Sequence, residues 1–104
     1  MTELKTIATE LFGDMVKAVV DIDRRALAIN AELHADLEAI LLTDGSKQNN
    51  LWGINLYPDA MGDDFVEFDS MINVRPSQGN RSRSVEDEGL RKKIVEIVRE
   101  RIVL

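Results

Sequence analysis

The sequence predicts an α+β fold: an antiparallel sheet of about four strands, packed on one face by an N-terminal, a central and a C-terminal helix. Three observations predict it. Helical and strand-type hydrophobic patterns follow one another in the order α-β-β-α-β-β-α. Turn signals at DIDRR and DAMGDD join the strands in pairs. The chain has 104 residues, near the commonest domain size, so we expect a single domain over residues 1–104.

The first 29 residues predict a helix followed by two strands. Residues 2–12 carry three apolar side chains at helical spacing, Leu4, Ile7 and Leu11. Residues 15–22, MVKAVVDI, are β-branched and partly alternating, which is typical of a strand. The polar segment DIDRR then turns the chain, and residues 26–29 return as the second strand.

The central segment favours a short helix over residues 36–42. Its apolar residues recur at helical spacing, at Leu33, Leu37, Ile40 and Leu41. Asp36 is the predicted N-cap, and TDGS ends the helix. Because the run is short, a third strand of the same sheet remains the alternative.

The second half predicts a hairpin and a terminal helix. Residues 51–58, LWGINLYP, and residues 65–74, FVEFDSMINV, are two strands joined by DAMGDD. Ser84 and Asp87 predict a capping box at the start of the last helix. The apolar stripe of this helix is Leu90, Ile94, Ile97, Val98 and Ile102.

Composition excludes several classes of protein. The absence of cysteine excludes a disulfide framework, a thiolate zinc site and a cysteine nucleophile, and it fits a reducing compartment. The N-terminus lacks the apolar stretch of a signal peptide, and the longest purely apolar run, AILL, is too short to span a membrane. We therefore expect a cytoplasmic protein with no membrane partner. The net charge of −6 argues against nucleic acid as a partner, and no cofactor is indicated.

The charge reverses sharply ahead of the last helix. Residues 48–74 contain five acids and no base, whereas residues 75–83 contain three arginines and no acid. A helix start attracts anions, and arginine side chains match phosphate or carboxylate groups. We predict that this loop binds a small anionic or phosphorylated ligand through Arg75, Ser77, Gln78, Gly79, Asn80, Arg81, Arg83 and Ser84. The alternative is that the arginines form salt bridges within the chain, to Asp63, Asp64 or Glu67.

The predicted hairpin also has a polar face. Alternation would place five polar side chains together near the arginine loop, Asn55, Tyr57, Glu67, Asp69 and Asn73. They would form either the floor of the ligand site or the solvent-facing side of the sheet. Glu67 or Asp69 is also a candidate base or magnesium ligand. Gly53, in the middle of a strand, indicates a bulge, a close backbone approach or only the relief of crowding.

His34 is the only histidine, and it lies among acids in ELHADLE. A single imidazole without cysteine argues against a structural zinc site. His34, Glu67 and Asp69 are therefore only weak candidates as metal ligands.

The blocks LWGINLYP and FDSMINVRPSQGNRSR resemble a small family of uncharacterised bacterial and archaeal proteins, known only as a domain of unknown function. The resemblance extends to ELHAD and the C-terminal helix, and so covers nearly the whole chain. It implies a small stand-alone cytoplasmic protein, and it supplies no activity and no functional residues. Three functions follow: an anion-binding module, a metal-dependent phosphoryl hydrolase or transferase, or a structural or interaction protein without a small ligand, such as a homodimer.

Overall fold

A computed structural model of the protein describes residues 15–29, 33–57, 60 and 65–101. Four strands form one antiparallel sheet in the order β2-β1-β3-β4. The strands are β1 (Val16–Asp21), β2 (Ala26–Ile29), β3 (Leu51–Leu56) and β4 (Val66–Glu67), and the helices are α1 (His34–Thr43) and α2 (Glu88–Arg101). The predicted α+β class and four-stranded antiparallel sheet are confirmed. The helix predicted for residues 2–12 lies outside the described residues.

The first hairpin forms as the sequence predicts. Strand β1 pairs with β2 on one side and with β3 on the other, so it lies inside the sheet. The Asp21 carboxylate accepts hydrogen bonds from the N–H groups of Asp23 (2.9 Å) and Arg24 (3.0 Å), which closes the turn into β2.

The two helices cover opposite faces of the sheet, whereas the prediction placed all helices on one face. On one face, α2 packs through Ile94, Ile97 and Val98 against alternate residues of β1 and β3. On the other face, α1 packs through Leu37 and Leu41. The reason is that Val19 and Leu51 place apolar side chains on this second face. These side chains are fully buried only because α1 packs over them. Among the described residues, no helix is long and apolar enough to cross a membrane.

The central segment is a helix, and it begins earlier than predicted. Leu33 is the N-cap in an extended conformation and makes no side-chain cap bond, so the prediction of Asp36 as the N-cap is wrong. The His34 ring instead fixes the helix start, because its Nε2 lies 2.7 Å from the carbonyl oxygen of Ile54. Asp44 and Gly45, with φ 101°, end the helix as the sequence predicts.

The predicted strand over residues 65–74 is wrong in length. Only Val66 and Glu67 pair with β3, opposite Leu56 and Asn55. The chain then packs closely against Gly53 of β3, where an added Cβ would lie 2.6 Å from the Cβ and Oγ atoms of Ser70. The nearest atoms are side-chain atoms of Ser70 and Ile72, so the glycine relieves crowding by side chains. Because the chain turns here, residues 71–73 and 76–78 form short 3-10 turns.

Helix α2 begins at Glu88, so the capping box predicted for Ser84 is wrong. The carboxylate of Asp87 accepts from the Leu90 N–H (3.1 Å) and caps the helix. Ser84 instead accepts a hydrogen bond from Arg91 (2.6 Å), and residues 82–87 are not helical. The predicted stripe packs in the core, except Ile102, which lies outside the described residues.

Candidate functional site

Two side chains of the loop after β4 bind the open edge of β3. Asn73 is fully buried, donates from Nδ2 to the Gly53 carbonyl (2.9 Å) and accepts at Oδ1 from the Gly53 N–H (2.8 Å). Arg75 donates from Nη2 to the carbonyl of Leu51. These contacts satisfy edge groups that the two-residue strand β4 does not reach. Asn73 and Arg75, both predicted ligand residues, are thus engaged with the backbone of β3.

The Arg75 guanidinium is partly buried and stacks on Trp52. Its Cζ lies 4.8 Å from the Trp52 ring centroid, and its Nε donates to the carbonyl of Ile72 (2.9 Å). Burial lowers the pKa of this guanidinium. In the described part of the chain, no carboxylate forms an ion pair with Arg75. Its charge is therefore offset by carbonyl oxygens, the indole ring and the more distant carboxylate of Glu38.

Asn80 organises the rest of the loop. It is 5% exposed, and its Nδ2 donates to the carbonyls of Asn73 (2.7 Å), Ser82 (3.1 Å) and Ser84 (2.7 Å). Its Oδ1 accepts from the Glu86 N–H (2.9 Å), and its backbone pairs with Arg75. Gly79, with φ 81°, closes the turn between Arg75 and Asn80. The loop is therefore held in one shape by a buried polar side chain.

The backbone at Arg81 and Ser82 forms an anion-binding nest, and Glu86 fills it. One carboxylate oxygen of Glu86 accepts from the N–H groups of Arg81 (2.6 Å) and Ser82 (2.9 Å) and lies 3.3 Å from the Ser82 hydroxyl. The backbone donors of Ser82 and then Arg81 lower the pKa of Glu86. The loop predicted to bind an anion thus binds a carboxylate of its own chain.

The other predicted side chains of the loop differ in their contacts. Arg83 pairs with Asp69 (2.7 Å), and both side chains are about half exposed. The tethering alternative therefore holds for Arg83, but with a different acid from those predicted. Gln78 donates to the Asn49 carbonyl (3.1 Å). The side chains of Ser77 and Arg81 are exposed and make no hydrogen bond to any described residue.

Three predicted residues meet where β3 pairs with β4. Glu67 accepts from Asn55 Nδ2 (2.8 Å) and from the Tyr57 hydroxyl (3.0 Å). Asp69 is bound to Arg83 instead, and Asn73 lies at the β3 edge. His34 is buried, and burial lowers the pKa of its imidazole. Within the ranges that the structure describes, no group of three or more His, Cys, Asp and Glu side chains is arranged to hold a metal ion.

A cavity of about 340 Å³ lies between the loop and the start of α2. It is lined by Trp52, Gln78, Gly79, Asn80, Glu86, Asp87 and Leu90. Trp52 is only 4% exposed, and its indole N–H has no acceptor among the described residues. Three lining residues, Gln78, Gly79 and Asn80, belong to the predicted site.

Sequence reasoning missed the other lining residues. The available signal was the acidic run EDE, residues 86–88, which directly follows the arginine loop. Trp52 and Leu90 pack in the α2 cluster and also border the cavity.

In comparisons with known proteins, the family model described as a protein of unknown function, DUF5674, matches residues 1–101. The chain therefore belongs to this family. No curated protein and no solved structure matches it.

Proposed function

We propose that this DUF5674 protein is a binding module for a small ligand with a carboxylate or phosphate group, and that this group binds where the Glu86 carboxylate lies. One observation supports the proposal above all others. Three donors, the N–H groups of Arg81 and Ser82 and the Ser82 hydroxyl, converge on a single carboxylate oxygen. Converging N–H groups of this kind form anion sites in many proteins.

The surroundings of the nest favour an exchange of Glu86 for a ligand anion. Glu86 is exposed, so its side chain can swing into solvent without opening the core. The Arg81 guanidinium is exposed beside the nest, and its charge helps to lower the pKa of Glu86. It would act in the same way on a bound oxyanion.

The framework behind the nest is rigid, which lowers the cost of binding. Asn80 fixes the chain on both sides of Arg81 through its contacts with Asn73 and Ser84. Donors that are already oriented lose little entropy when a ligand binds. Arg75 and Arg83 have other partners, so their role is to hold the loop and to add positive charge at a distance.

The proposed place of action is the cytoplasm, which a cysteine-free composition suits. No observation favours the hydrolase or transferase alternative in the same way. Asp69 is paired with Arg83, and one oxygen of Glu67 accepts two hydrogen bonds. Neither carboxylate is therefore placed as a free base.

The test is an amide NMR titration with inorganic phosphate at low ionic strength, on the wild type and on two variants. Glu86→Ala vacates the nest, whereas Glu88→Ala removes the same charge from an exposed neighbour that does not contact the nest. We expect saturable shifts at Arg81 and Ser82, with at least tenfold tighter binding in Glu86→Ala than in Glu88→Ala. Adding Arg81→Ala to Glu86→Ala should weaken the binding of phosphate. If Glu86→Ala shows no saturable shift at these two amides, the proposal is wrong.

A further inference from the structure

The outer face of α1 is apolar, unlike that of α2. The exposed side chains of α2 are all charged, whereas Asp36 is the one exposed charged residue of α1. Ile40 in α1 and Leu33, directly before the helix, are each 58% exposed. A helix that is apolar all round is normally buried all round, so this face of α1 indicates a surface that a partner covers.

The two exposed side chains lie on the flank of α1 nearest to β2. Leu33 and Ile40 are about two helical turns apart and so share one side of the helix. Glu38, on the other flank, lies toward Arg75 and the β3 edge. Since α1 packs over β1 and β2, the flank with Leu33 and Ile40 borders the outer edge of the sheet at β2.

Strand β2 has an open edge. It pairs with β1 on one side, and no described segment pairs with its other side. At the opposite end of the sheet, by contrast, Asn73 and Arg75 satisfy backbone groups of β3. The sequence of β2, ALAI, contains no charged residue and no proline to discourage pairing with another chain, and only its short length protects it. Alternate residues of β2 therefore direct N–H and C=O groups outward, where a further strand can bind.

We propose that this edge and flank form a homodimer interface, in which β2 pairs antiparallel with β2 of a second copy. A two-fold axis perpendicular to the sheet generates the pair and keeps both copies of α1 on one face. Strands lie about 4.8 Å apart, so a helix centred over β1 and β2 lies roughly one strand spacing from the axis. The two α1 helices are then about 10 Å apart, the distance at which helices pack. One operation therefore covers both the strand edge and the side chains of Leu33 and Ile40.

The charges around β2 and the size of the surface fit a second copy. Arg25 precedes β2, so antiparallel pairing places the two Arg25 side chains at opposite ends of the strand pair, and each is paired with Glu100 of its own chain. From the exposed fractions, the interface would bury roughly 800–1,000 Å² in total, near the lower limit for a specific dimer. We therefore expect a weak dimer that dissociates on dilution. This inference is independent of the proposed anion site.

Two single substitutions separate the interface from the fold. Ile40→Glu places like charges across the two-fold axis, while glutamate is a good helix former at an exposed position. Leu33 is the N-cap of α1 and makes no side-chain cap bond, so Leu33→Asp supplies a favoured cap while it removes an apolar group from the interface. The matched control is Met71→Glu, which makes the same kind of change at a 66% exposed residue in the turn beside β3.

The experiment is sedimentation velocity of the wild type and the three variants between about 10 and 500 μM, with urea denaturation at the lowest concentration. We expect the wild type to pass from monomer to dimer over this range. Ile40→Glu and Leu33→Asp should each weaken the dimer at least tenfold without lowering the free energy of unfolding of the monomer. Met71→Glu should change dimerisation less than twofold. Hydrogen exchange at alternate amides of β2 should slow as the dimer forms.

The contrary results overturn the proposal. A wild type that is monomeric at every concentration excludes the second copy, and if Ile40→Glu then lowers the stability of the monomer, residues of the same chain cover this flank. A dimer that Met71→Glu weakens as much as Ile40→Glu does, or one that forms without slower exchange in β2, uses another surface.

Discussion

The Asn73 side chain binds the backbone of Gly53 as a neighbouring strand would. It donates to the Gly53 carbonyl at 2.9 Å and accepts from the Gly53 N–H at 2.8 Å. A third bond, from Nδ2 to the Arg83 carbonyl (3.0 Å), ties the residue after the nest to the same side-chain amide. One buried side chain thus couples the sheet edge to the candidate site.

Asn73→Ala should destabilise the fold strongly. It removes three hydrogen bonds and leaves buried groups of Gly53 without partners, which costs about 3 kcal/mol of unfolding free energy. Urea denaturation measures this loss. Ser77→Ala, at an exposed residue whose side chain makes no hydrogen bond to a described residue, is the control and should change stability by less than about 0.5 kcal/mol. A loss below about 1 kcal/mol for Asn73→Ala would contradict this role.

Gly53→Ala should destabilise through a steric clash that a second change relieves. The new Cβ would lie 2.6 Å from the Cβ and Oγ of Ser70, and overpacking of this kind costs about 1–3 kcal/mol. Ser70→Gly removes those atoms, so the double variant should be more stable than the sum of the single losses predicts. Denaturation of all three variants tests this, and simple additivity would show that the clash is not the cause.

Arg75 and Arg83 should differ in their effect on stability. Arg75→Ala removes two bonds to backbone carbonyls and the packing on Trp52, a loss of about 2–3 kcal/mol. Arg83→Ala breaks an exposed ion pair worth about 0–1 kcal/mol. Trp52, the only tryptophan, reports unfolding by fluorescence. The reverse order of the two losses would argue against this assignment.

The nest should open in acid. The folded-state pKa of Glu86 is lowered, so its contact with the nest is complete above the ordinary pKa of a glutamate and is lost as pH falls through the lowered value. The amide shifts of Arg81 and Ser82 should therefore titrate with a midpoint below that of an unperturbed glutamate. Glu86→Gln should abolish this titration. Shifts that follow the same curve in both proteins would assign the effect to another group.

His34 should make stability depend on pH near neutrality. Burial lowers its folded-state pKa, so the unfolded chain takes up a proton first, and stability falls as pH decreases below about 6.5. The full stability is present at pH values above the unfolded-state pKa of the histidine. His34→Gln should flatten stability between this value and the lowered folded-state pKa, as measured by urea denaturation at several pH values. Because His34 is the only histidine, its imidazole resonances report the pKa directly.

The candidate site was predictable in part. The loop was found because charge and turn residues are local in sequence, and Gln78, Gly79 and Asn80 do border the cavity. The nest occupant was missed because the bond from Arg81 to Glu86 depends on the path of the chain between them. Asn80 sets that path through four side-chain hydrogen bonds, and no local sequence pattern predicts these bonds.

The sequence by itself determined the strands β1 and β2, the hairpin of β3 with β4, and the apolar stripe of α2. Their hydrophobic periodicity is a property of neighbouring residues. Only the tertiary structure decided that helices cover both faces and that β4 stops after two residues. The physical reason is contact between distant residues: Ser70 meets Gly53, and the side chains of Asn73 and Arg75 satisfy the β3 edge where a strand was expected.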